Sequence, residues 1–241
     1  MSKVEAENLE RLIDDLRAAH GENLASVVLY GSAAAGDHHE LRSDHNLLIA
    51  LKRISTDDLQ AAERAMREWQ KLGQHIPVYL TVEELQDAAD VFPIEFLQME
   101  KARKVLFGRD PFELVQISRA NLRHQTEYEL RTKLIRLRRL YIPASVSSEK
   151  LAALLSDSLA SFAALFRAVL ILLGQEPPVT KEDSVRATVG ELSLDGAAFE
   201  RIFELRTGRE AALTQAEANN LFSSYMEQIE RVIEVVDRIE S

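Results

Sequence analysis

VLYGSAAAGDHHELRSDHNLLIAL, residues 28–51, is the stretch that decides the fold of the first half of the chain. The apolar run 27–30 ends on a Gly-Ser pair and predicts a buried strand. A second run, 46–51, is short and apolar enough for another buried strand, and a polar loop separates the two. The predicted local order is therefore strand, Gly-Ser turn, loop, strand.

Two features of this stretch suit phosphate chemistry. At the Gly31-Ser32 turn, backbone N–H groups can approach a polyphosphate without interference from a Cβ atom, and the serine hydroxyl adds a donor. The second strand is entered through Asp44 and Asn46, and residues spaced by one on a strand face the same side. Two acids at such positions can hold magnesium ions that bridge phosphates.

The arrangement resembles the nucleotidyltransferase superfamily, whose signature is a strand ending in Gly-Ser, a loop with a second glycine, and Ser-Asp-x-acid entering the next strand. The matching residues are Gly31, Ser32, Gly36, Ser43 and Asp44. The sequence is similar, more narrowly, to the branch of aminoglycoside nucleotidyltransferases. That resemblance implies an α+β fold, with an N-terminal nucleotidyltransferase-like mixed sheet and flanking helices followed by a C-terminal α-helical bundle.

The acidic residues depart from the pattern of that family. The resemblance implies a second acid where this chain has Asn46, and a third acid on a later strand, where the candidate segment 76–81 has no carboxylate. Asp44 is then the single expected metal ligand. Because an amide carbonyl is a neutral and weaker ligand for a hard cation, we expect Mg²⁺ binding to be weak or absent and nucleotidyl transfer to be slow.

Three functions follow from this pattern. The preferred hypothesis is a catalytically degenerate nucleotidyltransferase-fold protein that binds a nucleotide, such as an NTP, or another phosphate-bearing ligand in the interdomain cleft, with Asp44 in the pocket floor. An active magnesium-dependent enzyme that recruits Asp90 or Glu95 and transfers NMP to a small hydroxylated acceptor is the first alternative. A non-catalytic scaffold that forms a homodimer is the second. The nucleotide-binding candidates are Gly31, Ser32, Arg42, Ser43 and Asn46.

Glu95 is, with Asp44, a candidate catalytic residue. Partial burial of its carboxyl group among apolar neighbours would raise its pKa and suit a base that acts on an acceptor hydroxyl. The alternative is a structural salt bridge to Arg103 or Arg123. The apolar neighbours are Phe92, Ile94 and Phe96.

Basic residues cluster on the segment 119–140 of an otherwise acidic chain. They either meet phosphates or form a solvated face that pairs with Glu127 and Glu129 at helical spacing. The basic residues are Arg119, Arg123, Arg131, Lys133, Arg136, Arg138 and Arg139.

Two weaker patterns have structural alternatives. His38, His39 and His45 lie near Asp37 and Asp44, which suits either a transition-metal site or a solvated loop. In addition, the spacing of Arg119 and His124 resembles the Arg-x4-His motif of the HEPN ribonucleases, although in that family the motif lies on a later helix.

The periodicity of the chain divides it into a nucleotidyltransferase-like domain, 1–115, and a helical bundle, 116–241. The first part predicts a helix over 4–19, a helix over 56–72 capped by Thr56, an edge strand over 76–80 and a helix that starts at Thr81. The second part predicts a central helix within 147–173, with Pro143 separating it from the preceding helix. All the predicted bundle helices cover 118–140, 147–173, 181–190, 195–207 and 214–240.

Bulk composition restricts the class of protein. The chain has 241 residues, of which 46% are hydrophobic and 28% charged, enough to bury a core. The absence of cysteine excludes disulfides and thiolate chemistry. A net charge of -10 argues against nucleic acid as a partner. An acidic amphipathic N-terminus and the lack of a long uninterrupted apolar run predict a cytoplasmic protein that does not enter a membrane.

Overall fold

The computed structural model describes residues 3–31, 34, 45–113, 115–178, 180–208 and 212–239. The chain divides into two compact units, Met1–Ser118 and Arg119–Ser241, and each is described by itself. The predicted α+β class is confirmed, because the first unit carries a mixed sheet with helices and the second is helical.

The first unit is built around a four-stranded sheet in the order β3-β2-β1-β4. The central strand β1 pairs antiparallel with both β2 and β4, whereas β2 and β3 are parallel. The strands are β1 (Leu24–Tyr30), β2 (Asn46–Leu51), β3 (Val78–Thr81) and β4 (Arg103–Gly108). The helices are α1 (Lys3–His20), α2 (Thr56–Ala61), α3 (Glu63–Lys71), α4 (Val82–Asp87) and α5 (Pro93–Lys101).

Each face of the sheet has its own apolar cluster, because side chains alternate along a strand. One face, which we call the closed face, packs Leu29 and Ile49 against α1 and the α2–α3 segment. The other, the site face, packs Val28 and Leu48 against α4, α5 and Phe112. The core of the unit is thus two layers of helix separated by one sheet.

Local sequence signals set several of these boundaries. Thr81 and Glu84 form the predicted capping box, with the Glu84 N–H donating to Thr81 Oγ1 at 3.0 Å and the Thr81 N–H to Glu84 Oε2 at 2.7 Å. At α2 the predicted cap is wrong by one residue, since Ser55 accepts from the Asp58 N–H and Thr56 is already helical. The predicted helix 56–72 is also divided at Ala62 into α2 and α3.

The sequence analysis did not predict β4. Its residues mix charged and apolar side chains, and its partner β1 lies far away in the chain. β3, by contrast, lies at the sheet edge as predicted from Pro77. The strand predicted over 76–80 is therefore confirmed as β3, and the described sheet has four strands where the sequence predicted three.

The second unit is a bundle around the predicted central helix. The helices are α6 (Arg119–Ala144), α7 (Ser148–Leu172), α8 (Lys181–Glu191), α9 (Ala197–Thr207) and α10 (Gln215–Arg238). The other four all pack against α7, which buries Leu155, Phe162 and Phe166 among others. Pro143, predicted to separate two helices, instead lies inside the last turn of α6.

Helix α7 is long and apolar enough to cross a bilayer by length and composition, and it is the one such helix in the described part of the chain. A helix that is surrounded by four others in a bundle needs the same composition. Its buried residues therefore account for its apolar character as a core helix.

Candidate functional site

The predicted site residues fall into two groups. Ser32, Arg42, Ser43 and Asp44 lie outside the described residues, as do Gly36, Asp37, His38 and His39. Gly31, Asn46 and Glu95 are described. The described part of the candidate site therefore consists of the neighbouring ends of β1, β2 and β4.

Gly31 makes the turn that follows β1. Its φ of +80° is a left-handed conformation that glycine adopts without strain. Its N–H donates to the Ala102 carbonyl at 2.9 Å, which extends the ladder to the start of β4, and its carbonyl accepts from the Ala34 N–H at 3.0 Å. A Cβ atom at this position would lie 3.2 Å from Asn46 Nδ2. Backbone conformation and close approach both favour glycine here.

Asn46 begins β2 directly opposite Tyr30, the last residue of β1. Both side chains lie on the site face, since Val28 and Leu48, two residues earlier and later on the same strands, belong to its apolar cluster. Gly31 and Asn46, two of the predicted nucleotide-binding residues, thus lie at the same end of the sheet. The Asn46 side chain is exposed and makes no hydrogen bond within the described part of the chain.

Tyr30 was not predicted as a site residue. On its other side it is opposite Arg103 of β4, so Asn46, Tyr30 and Arg103 form one row across three strands. Burial raises the pKa of the Tyr30 phenol, which keeps the hydroxyl protonated as a hydrogen-bond donor. In the sequence, the signal for Tyr30 was its position directly before Gly31. The row of Asn46, Tyr30 and Arg103 could be recognised only after β4 was seen to pair with β1.

Arg103 is held in this row by several contacts. Its guanidinium group bonds to Asp110 at 2.9 and 3.0 Å, donates to the Glu100 carbonyl at 2.6 Å and lies over the ring of Phe112. Asp110 also accepts from the Phe112 N–H at 3.0 Å. The sequence offered Arg103 as a salt-bridge partner of Glu95, whereas here it forms an ion pair with Asp110.

Glu95 lies in the first turn of α5, which covers the site face. The predicted partial burial is wrong, because Glu95 is exposed and so is the preceding Phe92. Ile94 and Phe96 are buried, as expected for the inner side of the helix. Asp90, the other substitute acid, is exposed too.

The described part of the site does not fit a magnesium ion. At the position of the second acid stands the neutral amide of Asn46, whose oxygen is a weaker ligand for a hard cation than a carboxylate. Across the described ranges, no group of three His, Asp or Glu side chains could hold a metal. Asn46 and Tyr30 are neutral side chains, and each can donate a hydrogen bond.

His45 belongs to the opposite face of the sheet. Its ring is buried edge-on against Trp69, with centroids 6.1 Å apart, and its backbone N–H donates to Gln74 Oε1 at 2.8 Å. The same oxygen lies 3.3 Å from the ring Nδ1 atom. His45 is therefore a core residue, while His38 and His39, its partners in the transition-metal hypothesis, lie outside the described residues.

The basic residues of α6 pair largely as the structural alternative predicted. Glu127 accepts from Arg123 at 3.0 Å and from Arg131 at 2.7 Å, and these contacts lower the pKa of its carboxyl group. Lys133 lies 3.8 Å from Glu129. In addition, Arg138 bonds to Glu230 of α10 at 2.6 Å. Most of this charge is neutralised inside the unit.

The HEPN-like spacing also has a structural explanation. Arg119 donates to the Leu172 carbonyl at 2.7 Å, where a cation stabilises the C-terminal end of α7. His124 is exposed, and five residues correspond to about 140° of rotation on a helix. Arg119 and His124 therefore project in different directions.

Comparison with known proteins supports the fold. No protein-family model matches the chain, and no curated protein sequence matches it significantly. The structure is similar to the crystal structure of spectinomycin adenyltransferase AAD(9) from Enterococcus faecialis with ATP and spectinomycin. The TM-score is 0.58 at 14% sequence identity, with 94% of this chain and 98% of that chain covered. The chain thus has the nucleotidyltransferase fold that its sequence resembles.

Proposed function

We propose that this protein is a catalytically degenerate member of the nucleotidyltransferase fold that binds a nucleotide, or another phosphate-bearing ligand, at the ends of β1 and β2. The fold supports the proposal, as does the ATP bound by the similar adenyltransferase. In this proposal the Gly31-Ser32 turn, Arg42 and Ser43 contact phosphates, and Asp44 lies at the pocket floor.

The observation that carries the proposal is the position of Asn46. It occupies the second acid position of the sequence pattern, and its Nδ2 atom lies 3.2 Å from the point where a Gly31 Cβ would be. An amide N–H at this point donates to a phosphate oxygen, whereas a carboxylate would repel it unless a cation intervened. Binding of phosphate is therefore retained while the magnesium-dependent step is impaired.

Magnesium-dependent transfer of NMP to a small hydroxylated acceptor is the competing function. It is favoured by one observation, the exposure of Glu95 on the helix that covers the site face. In that case Glu95 or Asp90 would supply the missing ligand or act as the base. The two functions differ in their dependence on magnesium.

Calorimetric titration with ATP, GTP, CTP and UTP, each with and without magnesium, tests the proposal. We expect micromolar binding that is indifferent to magnesium and weaker in Ser32→Ala. The variant Asn46→Asp restores an acid beside Asp44, and we expect its binding to become dependent on magnesium. Glu95→Gln is the matched control, since it removes an acid and should leave binding unchanged.

Two outcomes would contradict the proposal. Wild-type binding that requires magnesium and is lost in Glu95→Gln would favour the active enzyme and justify a search for acceptors. If no nucleotide binds under any condition, the fold serves as a scaffold. Light scattering would then test the predicted homodimer.

A further inference from the structure

Tyr30 lies at the centre of the row of three side chains at the ends of β1, β2 and β4. It is opposite Asn46 on one neighbouring strand and Arg103 on the other. Its ring packs against the apolar cluster of the site face, which includes Val28 and Leu48. These contacts fix the ring at the same end of β1 as Gly31, the next residue in the chain.

The hydroxyl group of Tyr30 is available to a ligand. Burial of the ring raises the pKa of the phenol, so the group is neutral and keeps its proton to donate. No hydrogen bond joins this hydroxyl to another of the residues that the structure describes. The neighbouring Asn46 amide also lacks a side-chain partner among them, so two neutral donors stand side by side.

Tyr79 on β3 provides the contrast within the same sheet. Its ring lies on the closed face, 6.0 Å from the ring of His20, and its hydroxyl is fully buried without a hydrogen-bond partner. Both tyrosines are half-buried in the same sheet. They differ at the oxygen, because the Tyr79 hydroxyl is fully buried whereas that of Tyr30 is not among the buried, unpartnered atoms of the described residues.

We infer that Tyr30 is a ligand-binding residue whose hydroxyl, together with the Asn46 amide, donates hydrogen bonds to phosphate oxygens of the bound ligand. The inference rests on the proposed function and assigns the chemistry of that site. Two neutral donors can bind an anionic phosphate oxygen directly, without a cation. In a site with two acids, a magnesium ion held by those acids would bind the phosphate oxygen instead. The ion pair of Arg103 with Asp110 anchors β4 beside Tyr30 and so positions the donor.

The test compares Tyr30→Phe with the matched control Tyr79→Phe, because each change removes one hydroxyl from a half-buried ring. Binding of ATP and of inorganic tripolyphosphate is measured by calorimetry without magnesium. A hydrogen bond to a charged oxygen corresponds to about a tenfold change in affinity. We expect Tyr30→Phe to weaken both ligands by about that factor and Tyr79→Phe to leave both unchanged.

The outcomes separate this inference from the proposed function. If wild type binds and Tyr30→Phe binds equally well, the inference is overturned while the proposed function stands. If Tyr30→Phe weakens ATP alone, the hydroxyl contacts the nucleoside, and its assignment to phosphate is wrong. If wild type binds neither ligand, the proposed function fails and the inference fails with it. Thermal unfolding of both variants verifies that each is folded.

Discussion

The two faces of the N-terminal sheet treat polar side chains in opposite ways. On the closed face the rings of His20 and Tyr79 lie 6.0 Å apart, and both nitrogens of His20 and the Tyr79 hydroxyl are buried with no hydrogen-bond partner among the residues that the structure describes. On the site face, Tyr30 and Asn46 stand at the strand ends, where Asn46 is exposed and Tyr30 is only half-buried. Both faces carry an apolar cluster, but the closed face buries polar groups at some cost in desolvation, whereas Asn46 on the site face stays exposed.

The largest expected effect is on the closed face. Leu16 of α1 is fully buried there, and Leu16→Ala should destabilise the unit by about 2–5 kcal/mol through lost burial and a residual cavity. Urea unfolding followed by the fluorescence of Trp69, the only tryptophan of the chain, reports on this unit. The control Leu59→Ala removes a side chain that is 46% exposed, and we expect a change below about 0.5 kcal/mol. Equal effects would contradict the assignment of the core.

A second prediction concerns the turn that opens the site. Gly31→Ala should cost about 1–2 kcal/mol from backbone strain, and its Cβ should also displace Asn46 and weaken nucleotide binding severalfold. Gly73→Ala is a matched control, because Gly73 has a φ of +79° but no heavy atom within 4 Å of the added Cβ. It should lose similar stability in the same urea titration and retain binding in calorimetry. Loss of binding in both variants would show that general destabilisation is responsible.

The smallest predicted effect is a dependence on pH that arises on the closed face. Burial lowers the pKa of His20, although the charge of Asp58 partly opposes this, so the fold favours the neutral ring. Below the ordinary histidine pKa of about 6.5, the unfolded chain takes up a proton that the folded chain resists, and stability falls as the pH falls. The variant His20→Phe should lose less unfolding free energy than wild type between pH 7.5 and 5.5.

The control for this prediction is Leu59→Ala, which changes an exposed side chain of the same unit that does not titrate. It should keep the pH dependence of wild type, again measured by urea unfolding and Trp69 fluorescence. If His20→Phe and wild type lose the same free energy, burial of the neutral ring is not a source of acid sensitivity.

Much of the fold could be predicted because its signals are local. The apolar run 46–51, the capping box at Thr81 and the apolar surface of α7 all depend on neighbours a few residues apart. The strand β4 was missed because its residues mix charged and apolar types and are stabilised by pairing with β1. Likewise, Pro143 was placed outside a helix because the local rule does not include the packing of α6 against α7.

The candidate site was predicted only in part. Gly31 and Asn46 were proposed from their spacing in the sequence, and the structure places Asn46 Nδ2 3.2 Å from the point where a Gly31 Cβ would be. Glu95 was expected to be partly buried because apolar residues flank it, but neighbours in sequence on a helix point in different directions. Tyr30 was missed because its importance depends on what lies opposite it on two other strands.

The nucleotidyltransferase resemblance, with its Gly-Ser pair and with Asn46 where the family pattern has an acid, could be found from the sequence, because each feature is a matter of residue type and spacing along one segment. Which charges are neutralised, which side chains reach solvent and which face of the sheet each residue joins could be found only from the folded chain. Examples are the ion pairs Arg103–Asp110 and Arg138–Glu230 and the strand pairing of Tyr30 with Asn46. Burial and pairing depend on the packing of elements distant in the chain, and that packing sets the electrostatics of the site.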